Sequence, residues 1–181
     1  MYSPSPLAAE VPQLSDISIG GDPLAVEHLA PARPEHPRTV AEFAGLACAV
    51  AGDRARWAPL VEYDPVSRWY HRLETGPGYE VWLLTWLPGQ SSGLHDHGRS
   101  SGVVTVLEGT LTERSLTRSG EARRELRPGS QRVFGPGYLH EAVNDSLEPA
   151  VSLHVYFPGL TEMTQYPHLP HVCSSVVGET R

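Results

Sequence analysis

Beyond residue 60 the chain consists of short apolar runs separated by Gly, Pro and other turn-forming residues. Runs of this kind, rich in β-branched and aromatic residues, predict strands. We expect strands at residues 68–73, 79–87, 102–107, 110–117, 122–126, 131–134 and 150–157. Glu108-Gly109 and Ser119-Gly120 have the composition of tight hairpin turns. Short strands at this spacing, with no helix between them, favour an all-β antiparallel barrel or jelly roll over a parallel α/β sheet.

Helical periodicity is confined to the segment ahead of these strands. Thr39 and Glu42 form a capping-box pattern, and the apolar residues that follow predict a helix over residues 39–50. A shorter helical piece is expected at residues 53–60. Residues 1–37 contain seven prolines and no sustained periodicity, which predicts a flexible N-terminal arm followed by a single domain at 38–181.

The charge of the chain argues against nucleic acid as a partner. The 181 residues include no lysine and carry a formal net charge of -7, whereas nucleic-acid-binding domains are usually basic. No apolar run approaches the roughly 18 residues of a membrane helix, and no basic flank marks a signal peptide, so we expect a cytoplasmic protein without membrane contact. Cys48 and Cys173 lack the spacing of a disulfide framework or a thiolate zinc site. Either a monomer or a small homo-oligomer is compatible with the sequence.

His95, His97 and His140 are the candidate metal ligands. In a strand, His95 and His97 would project to one face while Asp96 points away. Imidazole suits zinc, copper, iron and nickel alike, so these ligands leave the metal open. Three neutral ligands would leave a cationic, half-open site suited to an anionic chelating substrate. We expect the remaining histidines outside the last predicted strand not to be ligands: His28, His36, His71, His168 and His171.

A second polar set alternates along the last predicted strand. Ser152, His154 and Tyr156 would project to one face, where His154 could join the two hydroxyl groups in a hydrogen-bonded relay. The alternative is the polar face of an exposed strand whose other face buries Val151 and Leu153.

The region around His95 and His97 resembles the first sequence motif of the cupin superfamily. That motif runs Gly, five residues, His-x-His, three or four residues, Glu, six residues and Gly. The chain matches it with Gly89, His95, His97 and Gly109. Gly102 stands where the motif has Glu, so the predicted metal has no carboxylate ligand from this position.

The second cupin motif is resembled around His140. It runs Gly, five residues, Pro-x-Gly, two residues, His, three residues and Asn. The chain matches it with Gly129, Gly137, His140 and Asn144, and the proline is shifted by one to Pro136. Two spaced halves that match independently are more specific than an isolated His-x-His. The resemblance implies a cupin-type barrel behind one or two short helices.

Within the cupin superfamily, three segments of the chain resemble one particular family. The segments around His95, around His140 and at residues 152–156 resemble the cysteine dioxygenase type I family, over roughly residues 69–166. The resemblance implies Fe(II) on the three histidines and oxidation of L-cysteine to cysteine sulfinic acid with both atoms of O2. It also makes Tyr156, with His154 and Ser152, the expected catalytic residues.

The same resemblance implies an arginine that binds the substrate carboxylate. Arg72 matches that arginine, and Tyr70 would share its face. A guanidinium group suits a carboxylate because it donates two parallel hydrogen bonds. Sister enzymes that act on 3-mercaptopropionate carry glutamine at this position, so Arg72 favours cysteine and a bacterial arginine-type member.

Gly102 is the main departure from the animal members of the family. They carry a cysteine there that becomes linked to the tyrosine of the relay, so no thioether to Tyr156 is expected here. Two alternatives stay open: a dioxygenase for 3-mercaptopropionate or another small thiol, and a non-catalytic cupin that binds a metal or an effector. A cupin isomerase or epimerase fits less well, because these enzymes usually need other acid–base residues.

Overall fold

The structure is a computed structural model that describes residues 36–117 and 120–167. Apart from its last two residues, the predicted N-terminal arm at 1–37 lies outside the described residues and stays a prediction. The same holds for His28, His168, His171 and Cys173. In the described ranges, no helix has both the length and the apolar character needed to cross a membrane.

Two helices and a 3-10 turn precede the strands, close to the predicted positions. Helix α1 spans Val40–Gly52, helix α2 spans Arg54–Trp57, and the 3-10 turn spans Ala58–Leu60. Thr39 caps α1 with a complete capping box, in which the Thr39 N–H donates to Glu42 Oε2 at 2.8 Å. The helix buries Phe43, Ala47 and Val50 against one face of a sheet.

In the part of the chain that the structure describes, ten strands form two antiparallel five-stranded sheets, which confirms the all-β prediction. In chain order they are β1 (Tyr70–Gly76), β2 (Tyr79–Trp86), β3 (Leu94–Asp96), β4 (Ser101–Glu108), β5 (Leu111–Thr117), β6 (Gly120–Leu126), β7 (Gln131–Phe134), β8 (His140–Val143), β9 (Ala150–Phe157) and β10 (Thr164–Tyr166). The first sheet has the order β1-β2-β9-β4-β7 and the second β10-β3-β8-β5-β6. Three short strands, β3, β8 and β10, have no counterpart among the apolar runs from which strands were predicted.

One of the two predicted hairpins is wrong. Strands β4 and β5 belong to different sheets, so Glu108-Gly109 carries the chain from one sheet to the other. Gly109 has a φ of 68°, and a Cβ there would lie 2.3 Å from the Pro149 carbonyl oxygen. A glycine is needed at such a turn whether the flanking strands pair or separate. Strands β5 and β6 do pair directly, with Thr117 opposite Gly120, although Ser119 itself lies outside the described residues.

Strand β9 lies between β2 and β4 in the first sheet, and the side chains on both of its faces are buried. Leu153 and Val155 pack with α1 on one face. On the other face His154 and Tyr156 line a cavity, and only 6% and 7% of their surfaces are exposed. The alternative of a polar, exposed strand face is therefore wrong.

Asn144, the last residue of the second cupin motif, joins the end of β8 to the loop before β3. Its side chain is fully buried and donates to the carbonyl oxygens of Trp86, at 3.0 Å, and Glu148, at 2.8 Å. Its backbone carbonyl accepts from the Gly89 N–H at 2.7 Å, and its N–H donates to the Gln90 carbonyl at 2.9 Å. These bonds fix the loop from which the chain enters β3.

Replacing Asn144 by Ala should lower the free energy of unfolding by about 2 kcal/mol, because one buried and one partly buried carbonyl group lose their donor. Urea denaturation would measure this change. The control is Glu148→Gln, which alters an exposed side chain and keeps the carbonyl group that accepts from Asn144. Equal stability of the two variants would show that the Asn144 side chain does not hold this loop.

Candidate active site

A cavity of about 230 Å³ contains most of the polar residues predicted for the site. Its walls are largely apolar, with Leu84, Val104 and Leu126 among the lining residues. Into this apolar space project the three predicted histidines and Tyr156. The side chains that could carry chemistry therefore lie in a largely apolar environment.

The structure brings His95, His97 and His140 together. Strands β3 and β8 pair so that His95 lies directly opposite His140, and His97 follows the end of β3. One ring nitrogen from each residue lies within 4.8 Å of the others, and His95 Nε2 lies 3.2 Å from His97 Nε2. All three side chains are buried, and each exposes 5% of its surface or less.

The protonation pattern of these rings fits a metal ion. His95 Nδ1 lies 2.9 Å from the Gly93 carbonyl oxygen, so that nitrogen donates and Nε2 keeps its lone pair. His140 Nε2 is buried without a partner among the described residues. Burial lowers the pKa of His95 to about 4 and that of His97 to about 3, so both rings are neutral at neutral pH. Neutral imidazoles are the form that binds metals.

The relay along β9 is formed and extends to a residue that the sequence analysis missed. Trp86 Nε1 donates to Ser152 Oγ at 2.8 Å. Ser152 Oγ lies 2.9 Å from His154 Nε2, and Tyr156 Oη lies 3.3 Å from His154 Nδ1. Trp86 could have been expected here, because a buried indole N–H needs an acceptor.

The direction of the relay follows from its first donor. Trp86 occupies a lone pair of Ser152, whose own proton then has His154 Nε2 as its acceptor among the described residues. Burial lowers the pKa of His154 well below its usual value, so this neutral ring carries its single proton on Nδ1 and donates it to Tyr156. Burial also raises the pKa of Tyr156, which keeps its hydroxyl protonated. The Tyr156 proton is then free to point into the cavity.

Arg72 is not among the residues that line the cavity. Arg72 Nη1 donates to Glu80 at 2.9 Å, its guanidinium carbon lies 5.4 Å from the centre of the Trp82 ring, and half of its side chain is exposed. Arg68 lines the cavity instead, together with Tyr70 at its mouth. Strand alternation places residues 68, 70 and 72 on one face and cannot choose between the two arginines.

Arg68 is held above Trp86, with its guanidinium carbon 4.5 Å from the centre of that ring. Burial lowers its pKa, as expected for a cation removed from water. Within the described ranges Arg68 makes no ion pair with a carboxylate. Trp86 thus contacts both Ser152 of the relay and the Arg68 cation.

Glu113 is a second cavity residue that the sequence analysis missed. Its Oε1 lies 3.3 Å from His140 Nδ1, and its Oε2 accepts from Arg132 Nε at 2.7 Å. Burial opposes its ionisation, but these two bonds outweigh that effect and leave its pKa below the usual value. Glu113 lies two positions from Leu111 along β5, on the same buried face. A single carboxylate on the apolar face of a predicted strand was the sequence feature that could have identified Glu113.

Phe134 fills the space beside Gly102, where the first cupin motif has Glu. A Cβ on Gly102 would lie 2.2 Å from Phe134 Cζ. The Phe134 ring stacks on His97, with 4.9 Å between ring centres. Gly102 is paired with Tyr156 across β4 and β9, so no thiol can form a cross-link to that tyrosine from this position.

Structural neighbours support the fold. The protein TT1209 from Thermus thermophilus superposes with a TM-score of 0.51 and 29% identity over 56% of this chain and 93% of its own. A double-stranded β-helix protein from Klebsiella pneumoniae superposes with a TM-score of 0.54 and 20% identity over 61% of this chain and 94% of its own. The two sheets therefore form a cupin-type fold, as predicted.

Sequence comparison identifies the family. Cysteine dioxygenase type 1 of Homo sapiens is 29% identical over 130 residues, which cover 66% of this chain and 65% of the human protein. The Bos taurus enzyme is 30% identical over 115 residues, which cover 58% of each chain. The chain thus spans less than two thirds of the length of these relatives. The family model of cysteine dioxygenase type I matches residues 36–168. The chain belongs to the cysteine dioxygenase type I family.

Proposed function

We propose that the protein is a thiol dioxygenase that oxidises L-cysteine to cysteine sulfinic acid with O2. The proposal is carried by one observation: a single small cavity is lined by three histidines with converging ring nitrogens and by one half-buried arginine without a carboxylate partner among the described residues. Family membership supports the same reaction class. The three histidines, His95, His97 and His140, would hold Fe(II). Bound there, the ferrous ion supplies the redox chemistry that allows O2 to react with a thiolate.

Arg68 would bind the carboxylate of the substrate. Its guanidinium group can donate two parallel bonds to a carboxylate, and the surrounding apolar walls strengthen that ion pair. Trp86 restricts the guanidinium from below, so part of the orientation is set before the substrate enters. The three histidines line the same cavity as Arg68, so a small substrate held by its carboxylate would share that cavity with them.

Tyr156 would donate its proton to the reacting group. The relay from Trp86 through Ser152 and His154 leaves that proton free, and the Tyr156 ring centre lies 4.9 Å from that of His97. A fixed hydroxyl donor in a largely apolar cavity stabilises negative charge as it develops during oxygen transfer to sulfur. Tyr156 performs this role without a thioether, because Gly102 lies opposite it.

A second candidate substrate is 3-mercaptopropionate, which lacks the amine of cysteine. Glu113 is the carboxylate that lines the cavity among the described residues, and both of its oxygens are occupied by His140 and Arg132. The cavity therefore offers no free carboxylate for an ammonium group. Cysteine still fits this cavity, because an amine must be neutral to ligate a metal and a neutral amine needs no anionic partner.

Oxygen uptake after anaerobic loading with Fe(II) tests the proposal. The panel comprises cysteine, cysteamine without the carboxylate, and 3-mercaptopropionate without the amine. We expect cysteine to give the highest kcat/KM and cysteamine the lowest, because cysteamine cannot use Arg68. Loaded protein that consumes no oxygen with any of the three thiols would contradict the proposal and favour a non-catalytic cupin.

Replacing Arg68 by Met should raise the KM for cysteine about 10- to 100-fold, since the substrate loses a charge-assisted hydrogen-bond pair. Methionine keeps most of the buried volume, and iron content should not change. Arg72→Met is the matched control, and its kinetics should equal those of the wild type. The opposite ranking of the two variants would return the carboxylate site to Arg72.

Replacing Tyr156 by Phe should lower kcat by about 100-fold while KM changes little, because the donor acts mainly on charge that develops during the reaction. Steady-state oxygen uptake measures both constants. Tyr63→Phe serves as the control, since Tyr63 lies outside the cavity and is 41% exposed. Full activity of the Tyr156 variant would remove the relay from the mechanism.

A further inference from the structure

We propose that Glu113 is a positioning residue for the metal centre, and that it supplies through His140 the negative charge that Gly102 fails to provide. The inference rests on the metal centre of the proposed function. Glu113 acts on one candidate ligand, His140, whichever thiol is oxidised.

The fold places Glu113 beside His140 through strand pairing. Strands β5 and β8 are neighbours in the second sheet, where Ser115 lies opposite His140 and Glu113 lies opposite Ala142. Only 4% of Glu113 is exposed, and it lines the cavity. Burial of a carboxylate is costly unless it is paired and hydrogen-bonded, so the Glu113 side chain requires specific polar partners.

Both oxygens of Glu113 are engaged. Oε1 faces His140 Nδ1 at 3.3 Å, and Oε2 accepts from Arg132 Nε at 2.7 Å. Arg132 belongs to β7 of the opposite sheet, and its Nη2 donates to Tyr138 Oη at 3.1 Å. The carboxylate therefore links the two sheets, and its position is fixed from both sides before a metal binds.

This bond makes His140 a different ligand from the other two histidines. A carboxylate that accepts from Nδ1–H fixes the tautomer, orients the ring and increases the electron donation of Nε2. His140 Nε2 is one of two buried ring nitrogens without a hydrogen-bond partner among the described residues. His95 has only a carbonyl group as acceptor, at 2.9 Å, and His97 Nδ1 has no partner among the described residues. His140 is thus the ligand through which the cavity carboxylate acts.

Glu141 provides a matched comparison within the same part of the fold. It follows His140 directly, is 5% exposed, and is bound by Ser91 Oγ at 2.5 Å and Arg114 Nη1 at 3.0 Å. It does not line the cavity. Both carboxylates are buried and paired with an arginine, but only Glu113 contacts a candidate metal ligand.

The test compares Co(II) binding by the full chain and by the variants Glu113→Gln and Glu141→Gln. Affinity is measured against a competing chelator, and the visible absorption of bound Co(II) reports the ligand field. Glu113→Gln should weaken Co(II) binding by about 10- to 100-fold and shift the absorption bands. Glu141→Gln should match the wild type in both, and thermal unfolding of the metal-free proteins reports any structural loss separately.

Unchanged affinity and spectrum in Glu113→Gln would overturn the proposal, as would an equal loss in Glu141→Gln. If Glu113→Gln does not fold, Glu113→Asp decides, because it keeps the charge near Arg132 but withdraws from His140; it should weaken Co(II) binding in the same direction. No thiol or oxygen is present, so absence of dioxygenase activity would leave this result standing. Conversely, if the protein is an active dioxygenase but Glu113→Gln binds Co(II) as the wild type does, only this inference is overturned.

Discussion

The direct pairing of His95 with His140 across β3 and β8 is the constraint on which the site depends. Strand β3 has only three residues, so its position is set by its neighbours: β8 on one side and β10 on the other. The Tyr166 hydroxyl group of β10 donates to Asp96 at 2.6 Å, and Asp96 lies between the two candidate ligand histidines of this segment. Pairing from both sides explains how so short a strand can hold His95 and His97 in register with His140.

The burial that results determines the chemistry available. Because burial lowers the pKa of His95 and His97, these two rings are neutral and can bind a metal, while Arg68 and the Glu113–Arg132 pair bring charge to the cavity. Strand β9 separates this cavity from the packed core, since its alternate residues serve the relay and the contact with α1. Trp86 joins the two halves of the site, with one hydrogen bond to Ser152 and one stacked cation in Arg68.

Much of the fold and part of the site could be predicted from the sequence, because the relevant features are local or strictly spaced. The capping box at Thr39, the extent of β9 and the grouping of the histidines follow from periods of 3.6 and 2 residues and from motif spacing. The failures depend on contacts between distant segments. Gly109 suits a turn between sheets as well as a hairpin, and the choice depends on the approach of Pro149.

The placement of the two arginines could not be predicted for a similar reason. Alternation along one strand cannot show that Glu80 of the next strand pairs with Arg72, or that Trp86 supports Arg68. Glu113 was missed because its partner His140 is 27 residues away. Motif spacing identifies the candidate metal ligands. The groups that orient these ligands lie on neighbouring strands, and the strand order of the fold determines which strands are neighbours.

The central claim, that this cavity directs both oxygen atoms of O2 to the sulfur of a small thiol, is tested most directly by isotope labelling. Protein loaded with Fe(II) would be given cysteine under 18O2, and the product analysed by mass spectrometry. The account predicts cysteine sulfinic acid that carries two labelled oxygen atoms. Disulfide as the main product, or sulfinic acid in which an oxygen atom comes from water, would contradict it.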